Sequence, residues 1–100
     1  MKYRLTDAAR QDIRELTQHI RFVQRSPQNA RLVATRLKAM FNRLVEIPNL
    51  GHVREELADD HAWVIAVTGV LVIYDPFLKP LTILRVVHSG RHLEAIDPRR

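Results

Sequence analysis

The stretch from Ile83 to Arg91, ILRVVHSGR, brings together side chains that could do chemistry. It begins as an apolar strand, but Arg85 interrupts the strand, and His88 and Arg91 follow closely. Removing water from an unpaired guanidinium costs several kcal/mol or more, so Arg85 needs an acidic partner or a place at an edge. An imidazole beside two guanidinium groups offers one proton carrier and two cations, the kind of set that cleavage of RNA would use.

A ribonuclease site built on these residues would lack a second proton carrier nearby. Arg54 could add a further cation, but the only tyrosines are Tyr3 and Tyr74, far away in the sequence. Glu55 and Glu56 would serve only if the fold brought their loop close to His88. RNA cleavage therefore stands as an alternative rather than as the preferred reading.

Metal and cofactor sites are not indicated. His88 and His92 lie four residues apart, which makes a ligand pair only on a helix, and Ser89-Gly90 would interrupt a helix there. The absence of cysteine excludes thiol catalysis and disulfides, and it is compatible with a reducing cytoplasm. The three glycines form no phosphate-binding loop. We expect no metal and no cofactor.

The composition predicts one globular domain over residues 1–100, since 46% of the residues are hydrophobic and 27% are charged. We find no secretory signal and no apolar run near the roughly 20 residues of a membrane span, and we expect a cytoplasmic protein. The formal net charge is +5. Residues 7–47 contain eight basic and four acidic residues, a net of +4, whereas residues 48–100 contain six and seven, a net of −1. A basic surface is compatible with nucleic acid, an acidic protein or simple solubility.

The first half predicts a short strand and a helical hairpin. The strand is KYRL, after which Thr6 can cap a helix. Ser26 and Pro27 suit the start of a second helix, which stops at Pro48. Each helix has one apolar stripe, formed by Ala9, Ile13, Leu16, Ile20 and Val23 in the first and by Ala30, Val33, Leu37, Met40, Phe41 and Leu44 in the second.

The second half predicts three strands, HAWVIAV, VLVIYD and TILRVVH, with a tight turn at Thr68-Gly69 between the first two. The fold class is therefore α+β: an N-terminal strand, an antiparallel helical hairpin and a three-stranded antiparallel meander that completes one antiparallel sheet. Alternate positions of all three strands are apolar on both faces, and one helical hairpin covers only one face. The chain's own C-terminal tail, another copy of the chain or a partner must cover part of the second face. Residues 93–100 offer only Leu93, Ala95 and Ile96, so we favour a partner, with the folded-back tail as the alternative.

These segments, in this order, resemble the RelE/ParE superfamily of toxins from bacterial type II toxin–antitoxin modules. YRLTDAARQDIREL is similar to the opening of the family, LVEIPNLGHVREEL to its P-x-x-G-x-x-R segment, and VLVIYDP with ILRVVHSGRHL to its last strands. The resemblance covers nearly the whole chain. The sequence departs from the usual pattern at Ala62, where an arginine often precedes the aromatic residue, and at His92, where aspartate usually follows the last arginine.

The helical hairpin and the LT-x-x-A-x-x-D-I opening look ParE-like, of the plasmid-stabilisation type. The resemblance implies a toxin that inhibits DNA gyrase without being an enzyme and that a cognate antitoxin neutralises by wrapping it. Two alternatives stay open: a RelE-like, ribosome-dependent messenger-RNA endoribonuclease, and a non-toxic member that only binds its antitoxin. We expect no sequence-specific DNA binding by this chain, which has no recognisable DNA-reading motif.

Contacts with the antitoxin or the target are predicted for Arg54, Trp63, Arg85, His88 and Arg91, although a tryptophan such as Trp63 is more often a core residue than a contact residue. We expect Arg85 to lie on the sheet face away from the helical hairpin, or close to the sheet edge. There it would pair with an acid of the antitoxin, of the target or of this chain. On this hypothesis Arg85→Glu weakens antitoxin binding or toxicity while the fold survives.

Overall fold

The computed structural model describes residues 2–88 and 93–99. Two helices precede most of the strands. The elements are β1 (Tyr3–Leu5), α1 (Asp7–Gln18), a π-helical turn (His19–Val23), α2 (Pro27–Glu46), β2 (His52–Val53), β3 (Trp63–Val67), β4 (Val70–Asp75) and β5 (Leu81–His88), with short 3-10 turns at Pro48–Leu50, Glu55–Leu57 and Leu93–Ala95.

Both helices begin at the residues that the sequence predicts. The Thr6 hydroxyl accepts a hydrogen bond from the Ala9 N–H at 3.0 Å, and the Ser26 hydroxyl accepts one from the Asn29 N–H at 3.3 Å. Each bond satisfies a backbone donor that the first helical turn would otherwise leave open. The two helices pack against each other and against one face of the sheet, so the predicted helical hairpin is confirmed.

The prediction was wrong for the end of the first apolar stripe. Ile20 is buried, but Val23 is 68% exposed. The reason is the π-helical turn, in which the Gln24 N–H donates to the His19 carbonyl instead of to that of Ile20. A π-turn contains one residue more than an α-turn, so the residues that follow it are rotated away from the buried stripe.

The five strands form one mixed sheet in the order β1-β5-β4-β3-β2. β3, β4 and β5 form the predicted meander, and Thr68 and Gly69 make its first turn with φ angles of 45° and 85°. The expectation of a purely antiparallel sheet was wrong, because β1 is parallel to β5, with Tyr3 opposite Leu81. The connection from β1 to β5 contains the helical hairpin and the other three strands, far more than the dozen or so residues that parallel pairing requires. The two-residue strand β2, paired with β3, was not predicted.

The sheet separates two apolar clusters, as the alternating pattern predicts. The hairpin side is filled by Leu37, Phe41 and Leu44 of α2 against Val72 and other residues of the sheet. The opposite side contains Val64, Leu71, Ile73, Leu84 and Val87, and it is also buried.

The prediction that a partner covers this second face was wrong, because the chain covers it itself. Leu57 and Ala62 from the loop before β3, and Leu93 and Ile96 from the C-terminal segment, close the second cluster. The loop is rich in charged residues, yet its Leu57 and Ala62 are buried. Two short segments together therefore bury what neither could bury alone.

An arginine fastens the C-terminal segment to this face. The Arg99 guanidinium lies 2.9 Å from an oxygen of Asp59 and 2.8 Å from an oxygen of Asp75, whose side chain is buried. Asp75 also accepts the N–H of Phe77 at 2.9 Å. The buried carboxylate of Asp75 is thus fully engaged, as a charge in that position requires.

Candidate functional site

Arg85 is paired with an acid of its own chain. Its Nε donates to one carboxylate oxygen of Asp12 at 2.7 Å and its Nη2 to the other at 3.0 Å. Asp12 lies on α1, so the guanidinium is directed to the helical side and not to the face away from the hairpin. The alternative position, close to the edge of the sheet, agrees with the structure, because β1 pairs with β5 only as far as Ile83. The paired acid is one of the three kinds of partner that were considered.

The carboxylate of Asp12 also closes an exposed strand edge. β1 pairs with β5 only as far as Ile83, so the next backbone groups of β5 have no strand beside them. Thr6 donates its hydroxyl proton to the Leu84 carbonyl at 2.7 Å, and Asp12 accepts the Val86 N–H at 2.9 Å. A β-bulge lies at this point, because Ile73 is opposite Arg85 whereas Tyr74 is opposite Ile83. The extra residue, Leu84, shifts the alternation of β5, so that Val86 rather than Arg85 shares the hairpin face of the sheet with Ile83.

This pairing keeps Arg85 charged and occupied. The hydrogen bond to Asp12 raises the pKa of Arg85 above its ordinary value, and burial opposes the rise. The two side chains are 19% and 12% exposed, so their attraction is screened less than that of a surface pair. Arg85 is therefore not available as a free cation for a phosphate group.

His88 ends β5 opposite Val70 and is exposed. It borders two grooves between the helical hairpin and the sheet. Arg91 and His92 lie outside the described residues, so the contact predicted for Arg91 stays a prediction.

Arg54 and Trp63 lie at another part of the sheet. Arg54 forms an exposed ion pair with Glu56 at 2.7 Å, and this bond raises the pKa of Arg54 and lowers that of Glu56. Trp63 is half-buried beneath the exposed ring of Phe77, with 6.1 Å between ring centroids. The ring of His61 lies 4.5 Å from that of Phe77.

The predicted contact residues do not form one site. On β4, Val70 is paired with His88 and Tyr74 with Trp63, and these two positions lie at opposite ends of that strand. His88 therefore lies at the end of the sheet beneath the helical turn, and Arg54 and Trp63 lie at the other end. Arg85, opposite Ile73, lies between these two ends at the edge of β5.

The larger groove lies beneath the turn between the helices, with a volume of about 370 Å³. The turn after β3 forms its floor, and Leu16, Ile20 and Val33 form apolar walls. Its lining contains no carboxylate; the polar and basic residues are His19, Gln24, Asn29, Arg36, Thr68 and His88. The neighbouring groove of about 310 Å³ along the edge of β5 does contain Asp12 and Glu15. The groove beneath the turn thus favours an anionic or neutral occupant.

Neither tyrosine is placed as a proton carrier for His88. The Tyr74 hydroxyl is buried, where it donates to the Pro48 carbonyl at 2.8 Å and accepts the Gly51 N–H at 2.9 Å. Burial raises the pKa of Tyr74. Tyr3 packs against Phe41 on the hairpin side of the sheet. In the described part of the chain, no three His, Asp or Glu side chains are grouped as metal ligands.

Asp12 is the functional neighbour that the sequence reading missed. It lies three residues after Ala9 and four before Leu16, on the buried face of α1. A carboxylate there needs a cation, and Arg85 is the charge that interrupts an apolar strand. Asp12 on a buried helix face and Arg85 in an apolar strand each require a partner of opposite charge. Their ion pair could therefore have been predicted from the sequence.

Comparison with known proteins agrees with this architecture. Residues 3–93 match the model of the ParE toxin family, described as the ParE toxin of the type II toxin–antitoxin system parDE. No curated protein matches the chain significantly. Within residues 2–88 and 93–99, no helix combines the length and apolar character needed to cross a bilayer. The family match, over nearly the whole chain and over every strand of the sheet, shows that this protein belongs to the ParE toxins of type II toxin–antitoxin systems.

Proposed function

We propose that this chain inhibits DNA gyrase without catalysing a reaction, and that a cognate antitoxin neutralises it by direct binding. The observation that carries the proposal is the match to the ParE toxin family over residues 3–93. A toxin of this class implies an antitoxin partner, and the cytoplasm, where gyrase works, is the compartment we propose.

The geometry around Arg85 supports a non-enzymatic mode of action. Cleavage of RNA needs a cation free to meet the developing phosphate charge, whereas Arg85 is held by Asp12. It also needs a second proton carrier near His88, and the Tyr74 hydroxyl is engaged by backbone groups elsewhere. These features disfavour the RelE-like alternative.

Arg85 is held by Asp12, and the other predicted contact residues, Arg54, Trp63, His88 and Arg91, remain our candidates for contacts with the antitoxin or the target. Trp63 forms a partly exposed aromatic cluster with Phe77, the type of surface that is enriched at protein interfaces. His88 borders the groove without carboxylates.

The decisive experiment is gyrase supercoiling of relaxed plasmid in the presence of the purified protein. We expect dose-dependent inhibition with trapped, cleaved DNA, and recovery when the antitoxin of the same module is added first. A second topoisomerase that lacks gyrase activity serves as the control for non-specific binding of a basic protein to DNA.

Other outcomes would overturn the proposal. Cleaved messenger RNA during expression, with gyrase unaffected, would establish the ribonuclease. Binding of the antitoxin without growth arrest and without gyrase inhibition would establish a module member that no longer kills.

A further inference from the structure

The turn between the two helices exposes a cluster of large apolar side chains. Phe22 is 67% exposed, Val23 is 68% exposed and Leu32 on the first turns of α2 is 44% exposed. We call these three residues the tip surface. Single exposed apolar residues are common and need no explanation. Three of them on two contacting segments are a candidate interaction surface, because exposed apolar patches often mark contacts with a partner.

The backbone of the turn holds these residues outward at a cost in stability. The π-helical turn His19–Val23 interrupts the buried stripe, and Arg25 follows with a φ of 54°, where glycine is the usual residue. Both π-turns and left-handed non-glycine residues are uncommon and concentrate at functional sites. Within the π-helical turn Ile20 is buried, whereas Phe22 and Val23, at its end, are exposed.

The surroundings of the tip surface are strongly basic. Residues 16–45 contain no aspartate or glutamate. In the described part of the chain, no ion pair engages any arginine or lysine of this stretch. All six of them are exposed: Arg21, Arg25, Arg31, Arg36, Lys38 and Arg43. The half-chain excess of positive charge is therefore concentrated on the hairpin that carries the tip surface.

We propose that the tip surface is the part of the toxin that docks on its target protein, with Phe22 and Val23 inserted into an apolar depression that is rimmed by acidic residues. This inference rests on the proposed function and names the contact that it requires. An apolar aromatic centre with an arginine rim is the usual anatomy of a protein–protein contact. The arginines could bind the phosphates of duplex DNA, but Phe22 and Val23 would make no favourable contact with those phosphates. The protruding shape favours a folded target with a concave site, since a flexible wrapping segment fills grooves instead.

The first test compares Phe22→Ser with Ile47→Ser in the gyrase supercoiling assay. Both side chains are large, apolar and exposed, at 67% and 41%, but Phe22 lies before the start of the 20-residue helix α2 and Ile47 follows its end, so Ile47→Ser is the control. We expect Phe22→Ser to raise the concentration needed for half-inhibition at least about tenfold, which corresponds to about 1.4 kcal/mol. Ile47→Ser should inhibit like the wild type. Circular dichroism and thermal unfolding confirm that both variants are folded.

The second test addresses the acidic rim. Arg21→Gln combined with Arg25→Gly removes two charges beside the tip surface, and glycine accepts the φ of Arg25 without strain. Inhibition by the wild type should weaken as salt is raised, and the double variant should show a weaker inhibition with a flatter salt dependence. Binding of both proteins to a random-sequence DNA duplex, followed by fluorescence anisotropy, shows whether the charges act on DNA instead.

The outcomes separate this inference from the proposed function. A wild type that does not inhibit gyrase overturns the proposed function, and the inference falls with it. Inhibition by the wild type that Phe22→Ser fully retains overturns the inference alone. Loss of antitoxin rescue in Phe22→Ser, with gyrase inhibition intact, would assign the tip surface to the antitoxin. A double variant that loses DNA binding in parallel with inhibition would assign the arginines to DNA.

Discussion

The carboxylate of Asp12 accepts two hydrogen bonds from the guanidinium of Arg85, although the two residues lie 73 positions apart in the sequence. The same carboxylate accepts the N–H of Val86, so one side chain of α1 neutralises a charge and closes the edge of β5. This single contact joins the first helix to the last strand at the point where β1 ends.

We predict that Asp12 and Arg85 are strongly coupled in stability. Asp12→Ala should lower the free energy of unfolding by about 3 kcal/mol, because it leaves a partly buried cation and a backbone N–H without their partner. Arg85→Ala should cost clearly less in the Asp12→Ala background than in the wild type. Urea unfolding of the two single variants and the double variant measures the coupling.

The exposed pair of Asp7 and Arg10 is the control for this cycle, since its charges are 3.7 Å apart in water and should show no measurable coupling. Additive effects of Asp12→Ala and Arg85→Ala would contradict the prediction. The same contact changes our expectation for Arg85→Glu: it would set two carboxylates against each other, so we now expect loss of the fold rather than a folded variant that fails to bind.

We predict that the contact between Tyr74 and Gly51 also stabilises the fold. Tyr74→Phe removes the hydroxyl that satisfies the Gly51 N–H and the Pro48 carbonyl, and should cost about 2 kcal/mol. Gly51→Ala should also destabilise, because the added Cβ would lie 2.6 Å from the Val64 carbonyl oxygen and 2.7 Å from the Tyr74 hydroxyl. Thermal and urea unfolding would measure both changes.

Tyr3→Phe is the matched control for Tyr74→Phe, because no hydrogen bond of the Tyr3 hydroxyl is present in the part of the chain that the structure describes. We expect its stability to be close to that of the wild type. Equal losses in Tyr3→Phe and Tyr74→Phe would mean that the buried hydroxyl has no special role.

We predict that the ion pair of Asp59 with Arg99 stabilises the protein at neutral pH and that this contribution is lost in acid. The hydrogen bond from Arg99 lowers the pKa of Asp59, and the His61 N–H adds to the effect while burial opposes it. A carboxylate whose pKa is lower in the folded state stabilises the fold above its unfolded pKa, near 3.9, and this contribution is lost as the pH falls through the folded value. Urea unfolding at a series of pH values should show a smaller acid loss in Asp59→Asn than in the wild type.

Arg99→Gln tests the same fastening from the other side. It should increase hydrogen exchange in the C-terminal segment that contains Leu93 and Ile96, because the ion pairs of Arg99 hold this segment against the sheet. The core of β4 should keep its protection, because β4 is paired with a strand on each side. An unchanged exchange rate in this segment would show that apolar burial alone holds it.

We predict that the backbone at Thr68 is strained and that a substitution can relieve this strain. Its φ of 45° is unfavourable for a β-branched residue, and Gly69 follows it in the tight turn between β3 and β4. Thr68→Asn should stabilise the protein by about 0.5–1 kcal/mol, since asparagine before glycine is the preferred pair in such a turn. Gly69→Ala, with its φ of 85°, should destabilise. A Thr68→Asn variant with a lower unfolding midpoint would refute the prediction.

Much of this fold is readable from local patterns. Thr6 and Ser26 cap the helices they were expected to cap, and the alternation from Trp63 to His88 predicts the strands and both buried faces of the sheet. These features depend on residues within a few positions of one another, and backbone propensity and periodicity decide them. The charge pattern of the hairpin is also a property of the sequence alone.

Tertiary structure decided the rest, because it depends on residues that are distant along the chain. Arg85 found its acid on α1 rather than on a partner, and the second face of the sheet was closed by Leu57 and Leu93 from two loops that look solvated in sequence. The π-turn that displays Phe22 breaks the periodicity that sequence reading assumes. The sequence by itself thus determined which elements form and which faces are apolar, whereas long-range packing determined which charge meets which, what covers each face and which residues are left for a partner.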